Sequence, residues 1–174
     1  TLVFRRVTDG IYREPWAALR ELISNAYDAD ASRVEVLTDP PWFRQIIVRD
    51  NGNGFTQEAL LHTLQSIGMS SKREGDGKAL GVTSQTDASK SPGGRRLIGK
   101  LGIGLFAIAN LAPRFRIVTK AKGERVRSIA DVSLFKHREV GPDGSPLPDD
   151  VLLQAGEFSV RSFRADDPDT HGTD

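Results

Sequence analysis

Apolar residues recur at helical spacing in two stretches of the chain. In residues 15–28 they lie three or four positions apart, at Trp16, Leu19, Leu22, Ile23 and Ala26. Pro15 suits the first turn of such a helix, because the amide there has no helical partner. Residues 58–67 repeat the spacing, and Thr56 stands where a hydroxyl can cap the first turn. The pattern therefore predicts two amphipathic helices.

Further stretches are rich in β-branched residues or alternate in polarity, which predicts strands at residues 33–37, 45–49, 115–119, 126–134 and 157–163. A short edge strand is also predicted at residues 3–7. The order of elements lacks the regular alternation of a doubly wound parallel sheet. We therefore predict an α+β fold, a two-layer sandwich with helices on one face of a mixed, mostly antiparallel sheet. The tryptophans Trp16 and Trp42 are expected in the core or at a sheet edge.

Residues 68–98 show almost no apolar periodicity and are rich in Gly, Ser, Thr and Lys. A loop of this length inside a compact domain is typically functional or disordered. Glycines then open a short apolar helix predicted within residues 99–112.

The composition limits the classes of protein to consider. The chain has 174 residues, of which 38% are hydrophobic and 27% charged, as expected for a single globular domain over residues 1–174. A net charge of +1 gives no argument for a nucleic-acid or membrane partner. No apolar run is long enough to span a bilayer. The lack of cysteine excludes disulfides and thiolate metal sites and is compatible with the cytoplasm. The ends at Thr1 and Asp174 suggest a fragment of a larger protein.

Three polar side chains lie on one face of the first predicted helix. Glu21, Asn25 and Asp28 follow one another at i, i+4 and i+7. Asn25 offers a neutral oxygen to a hard cation such as Mg²⁺, and Glu21 could take a proton from an attacking water. Asp28 could hold waters around the cation or a nucleotide. The alternative is an ordinary solvated helix face.

A second motif, Asp50-Asn-Gly-Asn-Gly, directly follows a predicted buried strand. A carboxylate at a strand end can accept a hydrogen bond from an exocyclic amine such as that of adenine. Gly52 and Gly54 would let the backbone approach a flat ring. These residue types also form ordinary turns, which is the alternative interpretation.

A third motif, Gly99-Lys-Leu-Gly-Ile-Gly-Leu-Phe, opens the short helix after the long loop. Backbone amides at a helix start, together with the helix dipole, form an anion site suited to phosphate. The motif is neither a Walker A loop nor a dinucleotide fingerprint. A close-packed helix start would explain the glycines equally well.

Taken together, these motifs carry a family resemblance. Residues 19–29, Leu-Arg-Glu-Leu-Ile-Ser-Asn-Ala-Tyr-Asp-Ala, resemble the N-box of the GHKL superfamily, which includes gyrase, ninety-kilodalton heat-shock chaperones, histidine kinases and MutL. The loops at residues 50–54 and 99–104 are similar to its two glycine boxes, and residues 171–173 resemble the Gly-Thr of its last box. The sequence of residues 98–120 is most similar to the sequences of the chaperone-like branch.

The resemblance implies a Bergerat fold that binds ATP or ADP with Mg²⁺. By motif position, Glu21 would be the general base, Asn25 the magnesium ligand and Asp50 the partner of the adenine amino group. Residues 68–98 would be the ATP lid, in which Lys72 could reach a phosphate or remain solvated. The remaining nucleotide-binding positions would be Asp28, Gly52, Gly54, Phe55, Thr63, Gly99, Lys100, Gly102, Ile103, Gly104, Leu105, Phe106 and Thr173.

The function implied is an ATPase module that drives lid closure and conformational change in a chaperone-like or DNA-transaction protein. A following transducer or middle domain and an ATP-dependent homodimer are the expected partners, with the client protein or nucleic acid left open. Turnover by this fragment alone is expected to be weak or absent. One alternative is a nucleotide-sensing and dimerisation module without catalysis. Another is a histidine kinase, against which Glu21 argues.

Overall fold

The computed structural model of the chain describes residues 15–66, 81–98, 108, 111–138, 152–167 and 170–174. Its two helices are α1 (Pro15–Asp28) and α2 (Gln57–Ser66). Its strands are β1 (Val34–Thr38), β2 (Ile46–Asp50), β3 (Arg114–Lys120), β4 (Val126–Arg138), β5 (Leu152–Arg164) and β6 (Gly172–Thr173).

The strands form two antiparallel sheets. A four-stranded sheet has the order β5-β4-β3-β6, and β1 pairs with β2 in a separate hairpin. The register sets Ile117 of β3 opposite Ala130 of β4, which in turn faces Val160 of β5. Every strand pair within the described ranges is antiparallel. The α+β prediction is thus confirmed.

The core lies between α2 and one face of the four-stranded sheet. Leu60 and Leu64 of α2 are buried against alternate residues of the strands, including Ile117, Ala130 and Val132. Alternation places these side chains on one sheet face. Each fully buried leucine contributes roughly 1.5–3 kcal/mol of hydrophobic stabilisation. This packing fixes α2 and β3, the two elements that flank the loop after β2.

Local signals in the sequence account for the helix boundaries. α1 spans the predicted residues, and α2 begins one residue earlier than predicted. The Thr56 hydroxyl accepts a hydrogen bond from the Ala59 amide at 3.1 Å, as expected for an N-cap. No helix among the described residues has both the length and the apolar character needed to cross a membrane.

Some expectations differ from the structure. The two-residue β6 was not predicted, and β4 and β5 are longer than their apolar patterns. Trp16 and Trp42 are 59% and 67% exposed, so their expected placement in the core is wrong. An arginine guanidinium covers each ring instead, at 5.3 and 5.5 Å from the ring centre. The predicted strand at residues 3–7 and most of the predicted helix within 99–112 lie outside the described residues.

Candidate nucleotide site

The polar stripe of the sequence lies on a continuous helix. Glu21, Asn25 and Asp28 all belong to α1, so their spacing keeps them on one side of it. The Glu21 side chain is 15% exposed, and its Oε1 lies 3.8 Å from Arg20 Nη2. Asn25 is half-buried. Asp28 Oδ1 accepts a hydrogen bond from the Ile98 amide at 2.9 Å. The helix therefore holds a carboxylate and an amide one turn apart, while Asp28 binds backbone.

Asp50 stands at the last position of β2, at the base of the glycine loop. The Gly52 amide donates to its Oδ1 at 2.7 Å, and the Thr173 amide also hydrogen-bonds the carboxyl group. Burial raises the pKa of Asp50 above its usual value, and these two amides oppose that shift. The remaining acceptor capacity of the carboxylate is available to a ligand that donates a hydrogen bond.

Two glycines allow the Asp50 loop to lie close to both β3 and β6. Gly54 has φ of +62°, and a Cβ on it would lie 2.1 Å from the Lys120 carbonyl oxygen. Gly172 has φ of +123°, and a Cβ on it would lie 2.1 Å from the Asp50 carbonyl oxygen. Only glycine fits such contacts at positive φ. Gly54 therefore brings the Asp50 loop against the end of β3, and Gly172 brings β6 against the same loop.

Thr119 joins the same loops from the central sheet. Its buried hydroxyl accepts a hydrogen bond from the Phe55 amide at 2.9 Å and donates to the Gly172 carbonyl at 3.1 Å. It also lies 3.0 Å from the Thr173 hydroxyl. From the other side, His171 Nδ1 donates to the Gly52 carbonyl at 2.6 Å. Asp50, Gly52, Phe55 and Thr173 are thus parts of one hydrogen-bonded unit.

Other predicted site residues are not placed in this unit. Thr63 is half-buried on α2. The lysine of the lid and the whole predicted phosphate loop lie outside the described residues; they are Lys72, Gly99, Lys100, Gly102, Ile103, Gly104, Leu105 and Phe106. Of the predicted lid at 68–98, the structure describes residues 81–98 as turns with one isolated bridge between Lys90 and Arg96.

The donor set of α1 fits magnesium bound chiefly by phosphate and water. Within the described ranges, no group of three or more His, Asp or Glu side chains could by itself enclose a metal ion. Mg²⁺ in nucleotide sites takes only one or two protein oxygens and completes its shell with waters and substrate phosphates. The single amide oxygen of Asn25, half-buried beside the carboxylates of its helix, meets that requirement.

The sequence reasoning missed Thr119 and gave no individual role to His171. Both were visible only as neighbours of motifs, Thr119 in the Thr-Lys that ends a predicted strand and His171 beside the Gly-Thr pair. Hydroxyl and imidazole groups that bind backbone 50 to 120 positions away carry no periodic signal. Their roles become visible only when the sheet register is known.

Residues 12–148 match the family described as "Histidine kinase-, DNA gyrase B-, and HSP90-like ATPase". The match includes α1, the Asp50 loop and β3, whereas β5 and β6 lie beyond it. The contribution of Thr173 to the site therefore rests on the structure.

Several curated proteins are similar to the chain. A chaperone protein HtpG from Nitrobacter winogradskyi is 28% identical over 140 residues, which cover 71% of this chain and 21% of that protein. An endoplasmin homolog from Caenorhabditis elegans is 30% identical over 135 residues, or 68% of this chain and 17% of its own length. A DNA mismatch repair protein MutL from Rhodopseudomonas palustris is 37% identical over 60 residues, or 34% of this chain and 10% of its own.

The chain spans about a fifth of the length of the chaperone relatives. The family match covers most of the chain, and the chaperones named above align with about two thirds of it. The chain belongs to the family of histidine kinase-, DNA gyrase B- and HSP90-like ATPases.

Proposed function

We propose that this chain binds Mg-ATP and, within a larger protein, hydrolyses it by attack of water on the γ-phosphate. The observation that carries the proposal is the Asp50 carboxylate, which is half-buried at a strand end and oriented by the amides of Gly52 and Thr173. A carboxylate held this way can accept a hydrogen bond from the adenine amino group. The Thr173 hydroxyl, 3.0 Å from that of Thr119, would support the same end of the base.

In this proposal Glu21 is the catalytic residue. Its carboxylate would take a proton from the attacking water as the new P–O bond forms and the bond to the ADP oxygen breaks. The proton would then leave with inorganic phosphate. The limited exposure of Glu21 suits this role, since a largely covered carboxylate on a rigid helix keeps its orientation. Backbone amides of the 99–106 motif would hold the phosphates, with Lys72 as a further contact.

Asn25 would hold the magnesium ion, and Asp28 would lie outside its ligand shell. Bound magnesium would offset the negative charge of the phosphates. The amide of Ile98 already occupies one oxygen of Asp28. Asp28 would therefore attach the lid through this bond and would take part in the site by holding waters around the cation or the nucleotide.

The wider setting is also a proposal. Because the relatives are several times longer than this chain, we propose that it acts within a larger chaperone-like protein. There a following domain and an ATP-dependent homodimer would complete the cycle of lid closure. A cytoplasmic location is part of this proposal and agrees with the lack of cysteine. The client, whether protein or nucleic acid, is left open.

The first prediction concerns Glu21. In the natural full-length protein, Glu21→Ala should lower phosphate release at saturating Mg-ATP by about 100-fold or more, because a general base contributes that much to such reactions. ATP affinity, measured by titration calorimetry, should stay close to that of the wild type. Glu58→Ala removes an exposed carboxylate at the start of α2 and serves as the matched control. Undiminished hydrolysis by Glu21→Ala would refute the assignment.

A further inference from the structure

A carboxylate that the proposed reaction does not use stands just beyond the end of α1. Asp30 has φ of +62°, in the left-handed region that side chains rarely adopt. Its Oδ1 accepts a hydrogen bond from the Ser91 hydroxyl at 2.5 Å. Its Oδ2 accepts from the Gly93 amide at 2.7 Å and from Asn53 Nδ2 at 2.8 Å. One side chain therefore joins three segments that are far apart in the sequence.

These contacts favour the ionised form of Asp30. Burial alone would raise the pKa of this carboxyl group. The hydrogen bonds from Ser91, Gly93 and Asn53, together with the Arg95 guanidinium, outweigh burial and lower the pKa below its usual value. Asp30 is therefore an anion at neutral pH, and its hydrogen bonds are of the stronger, charge-assisted kind.

Residues 91–98 lie on one side of Asp30. We call them the lid base because they end the predicted lid. Arg95 Nη1 donates to the carbonyls of Ala31 at 2.7 Å and Tyr27 at 3.3 Å. The Ile98 amide donates to Asp28. With the bonds to Asp30, these contacts attach the lid base to the end of α1 along most of its length.

The lid base is folded around the Asp30 carboxylate. Ser91 is fully buried, and its hydroxyl donates a hydrogen bond to Asp30. The same oxygen accepts a hydrogen bond from the Arg95 amide at 2.9 Å. A Cβ on Gly93 would lie 2.6 Å from Asp30 Oδ1, so a larger residue there would push the two apart. The close fit makes the position of the lid base sensitive to any movement of this carboxylate.

On the other side, Asn53 connects Asp30 to the loop that follows Asp50. Asn53 lies between Gly52 and Gly54, its amide donates to the Ala29 carbonyl at 2.7 Å, and its own carbonyl accepts from Lys122 at 2.8 Å. The side chain of Asn53 then donates to Asp30. A shift of the loop after Asp50 is thereby transmitted to the same Asp30 oxygen that accepts the hydrogen bond from Gly93 of the lid base.

We propose that Asp30 is a positioning residue that couples the loop after Asp50, through Asn53, to the lid base, through Ser91 and Gly93. The inference rests on the proposed function, since it takes the ligand of Asp50 to be ATP. Asp30 itself does not touch the nucleotide. It transmits the state of the adenine pocket because a single carboxylate accepts hydrogen bonds from both segments.

A double-mutant cycle in the natural full-length protein tests this coupling. Asn53→Ala removes the link to the loop and Ser91→Ala the link to the lid base, and ATP affinity is measured by calorimetry. The change in the ATP dissociation constant caused by both substitutions together should differ by about fivefold or more from the product of the two single changes. In an Asp30→Asn background this departure should vanish. Additive effects in the wild-type background, or a departure that survives Asp30→Asn, would overturn the proposal.

Hydrogen exchange of the lid-base amides gives a second reading. ATP should slow exchange at residues 91–98 in the wild type and should lose this effect in Asp30→Asn. The control is Asp87→Asn, because the Asp87 carboxylate binds Ser89 and Lys90 within its own turn. If Asp30→Asn does not fold, the cycle of Asn53→Ala and Ser91→Ala decides the question alone.

The same measurements separate this inference from the proposed function. A wild-type protein that binds no ATP, or an Asp50→Asn variant that binds it normally, would refute the proposed function. If Asp50→Asn abolishes ATP binding while Asp30→Asn behaves like Asp87→Asn, only the coupling through Asp30 is refuted.

Discussion

At the scale of single residues, the environment of Asp50 determines its chemistry. An isolated carboxylate loses several kcal/mol when it is taken out of water, and hydrogen bonds from the protein recover part of this. The amides of Gly52 and Thr173 supply such bonds, yet burial still keeps the pKa of Asp50 raised. The residue is therefore held in a state in which one further hydrogen-bond donor would be favourable.

The raised pKa leads to a prediction for pH dependence. Adenine requires the ionised carboxylate, so ADP affinity should fall as the pH drops through the raised pKa, which lies above the ordinary value of 3.8. Without nucleotide the sign is opposite, because the folded state binds the proton more tightly and ionisation of Asp50 costs stability as the pH rises. Fluorescence titration of ADP across pH would measure the first effect.

Asp50→Asn is the control for that titration. It should bind ADP weakly and should lack the acidic limb of the profile, while any titration of the phosphates persists in both proteins. A wild-type profile that matches Asp50→Asn at every pH would contradict the assignment of Asp50.

At the scale of elements, the two-residue strand β6 contacts a different part of the fold on each of its sides. It pairs with β3 through Thr119 and Lys120, and on its other side Gly172 contacts the Asp50 backbone. The amide and carbonyl of Asp174 continue this pairing to Val118, at 2.8 and 2.9 Å. β6 therefore connects the four-stranded sheet to the end of the β1-β2 hairpin.

Gly172→Ala tests this connection. Its Cβ would meet the Asp50 carbonyl at 2.1 Å, and we expect a loss of about 2 kcal/mol or more in unfolding free energy, with weaker ATP binding. Gly123→Ala is the matched control, because Gly123 also has positive φ, at +80°, but has no atom within 4 Å of the added Cβ. It should cost about 1 kcal/mol and leave ATP binding intact. Equal losses in urea denaturation would contradict the steric argument.

The elements also show what a sequence can predict. α1 and α2 were predictable because apolar spacing and the Thr56 cap are local signals. β6 was not, because two residues cannot display a period and their pairing partner lies more than 50 positions away. Asp30 was missed for a related reason. Its position after the helix reads as a turn, and only the fold shows that Ser91, Gly93 and Asn53 surround it.

At the scale of the whole molecule, the proposed site draws on four distant parts of the chain. α1 would supply Glu21 and Asn25, the end of β2 Asp50, β3 Thr119 and β6 Thr173. Each part is held by the core between α2 and the sheet or by hydrogen bonds between loops. A ligand that contacts several of these parts should stabilise the folded state as a whole.

Nucleotide should therefore raise the free energy of unfolding. ATP at about 100 times its dissociation constant should add about 2.7 kcal/mol by mass action, measured by denaturation at fixed temperature. GTP should add far less at the same concentration. Adenine presents an amino group from which Asp50 would accept a hydrogen bond, whereas guanine presents a carbonyl oxygen at that position. Equal stabilisation by both nucleotides would argue against Asp50 as the residue that recognises the base.

The position of β6 has a practical consequence for the design of shorter versions of this domain. The residues that match the family end at 148, which is a natural place to cut the chain for ligand screening. Such a version would lack the amide that binds Asp50 and the partners of the Thr119 hydroxyl. The proposed adenine pocket would be open on one side, and compounds selected against it would fit a cavity that the intact domain does not have. A screening fragment should therefore extend through Asp174.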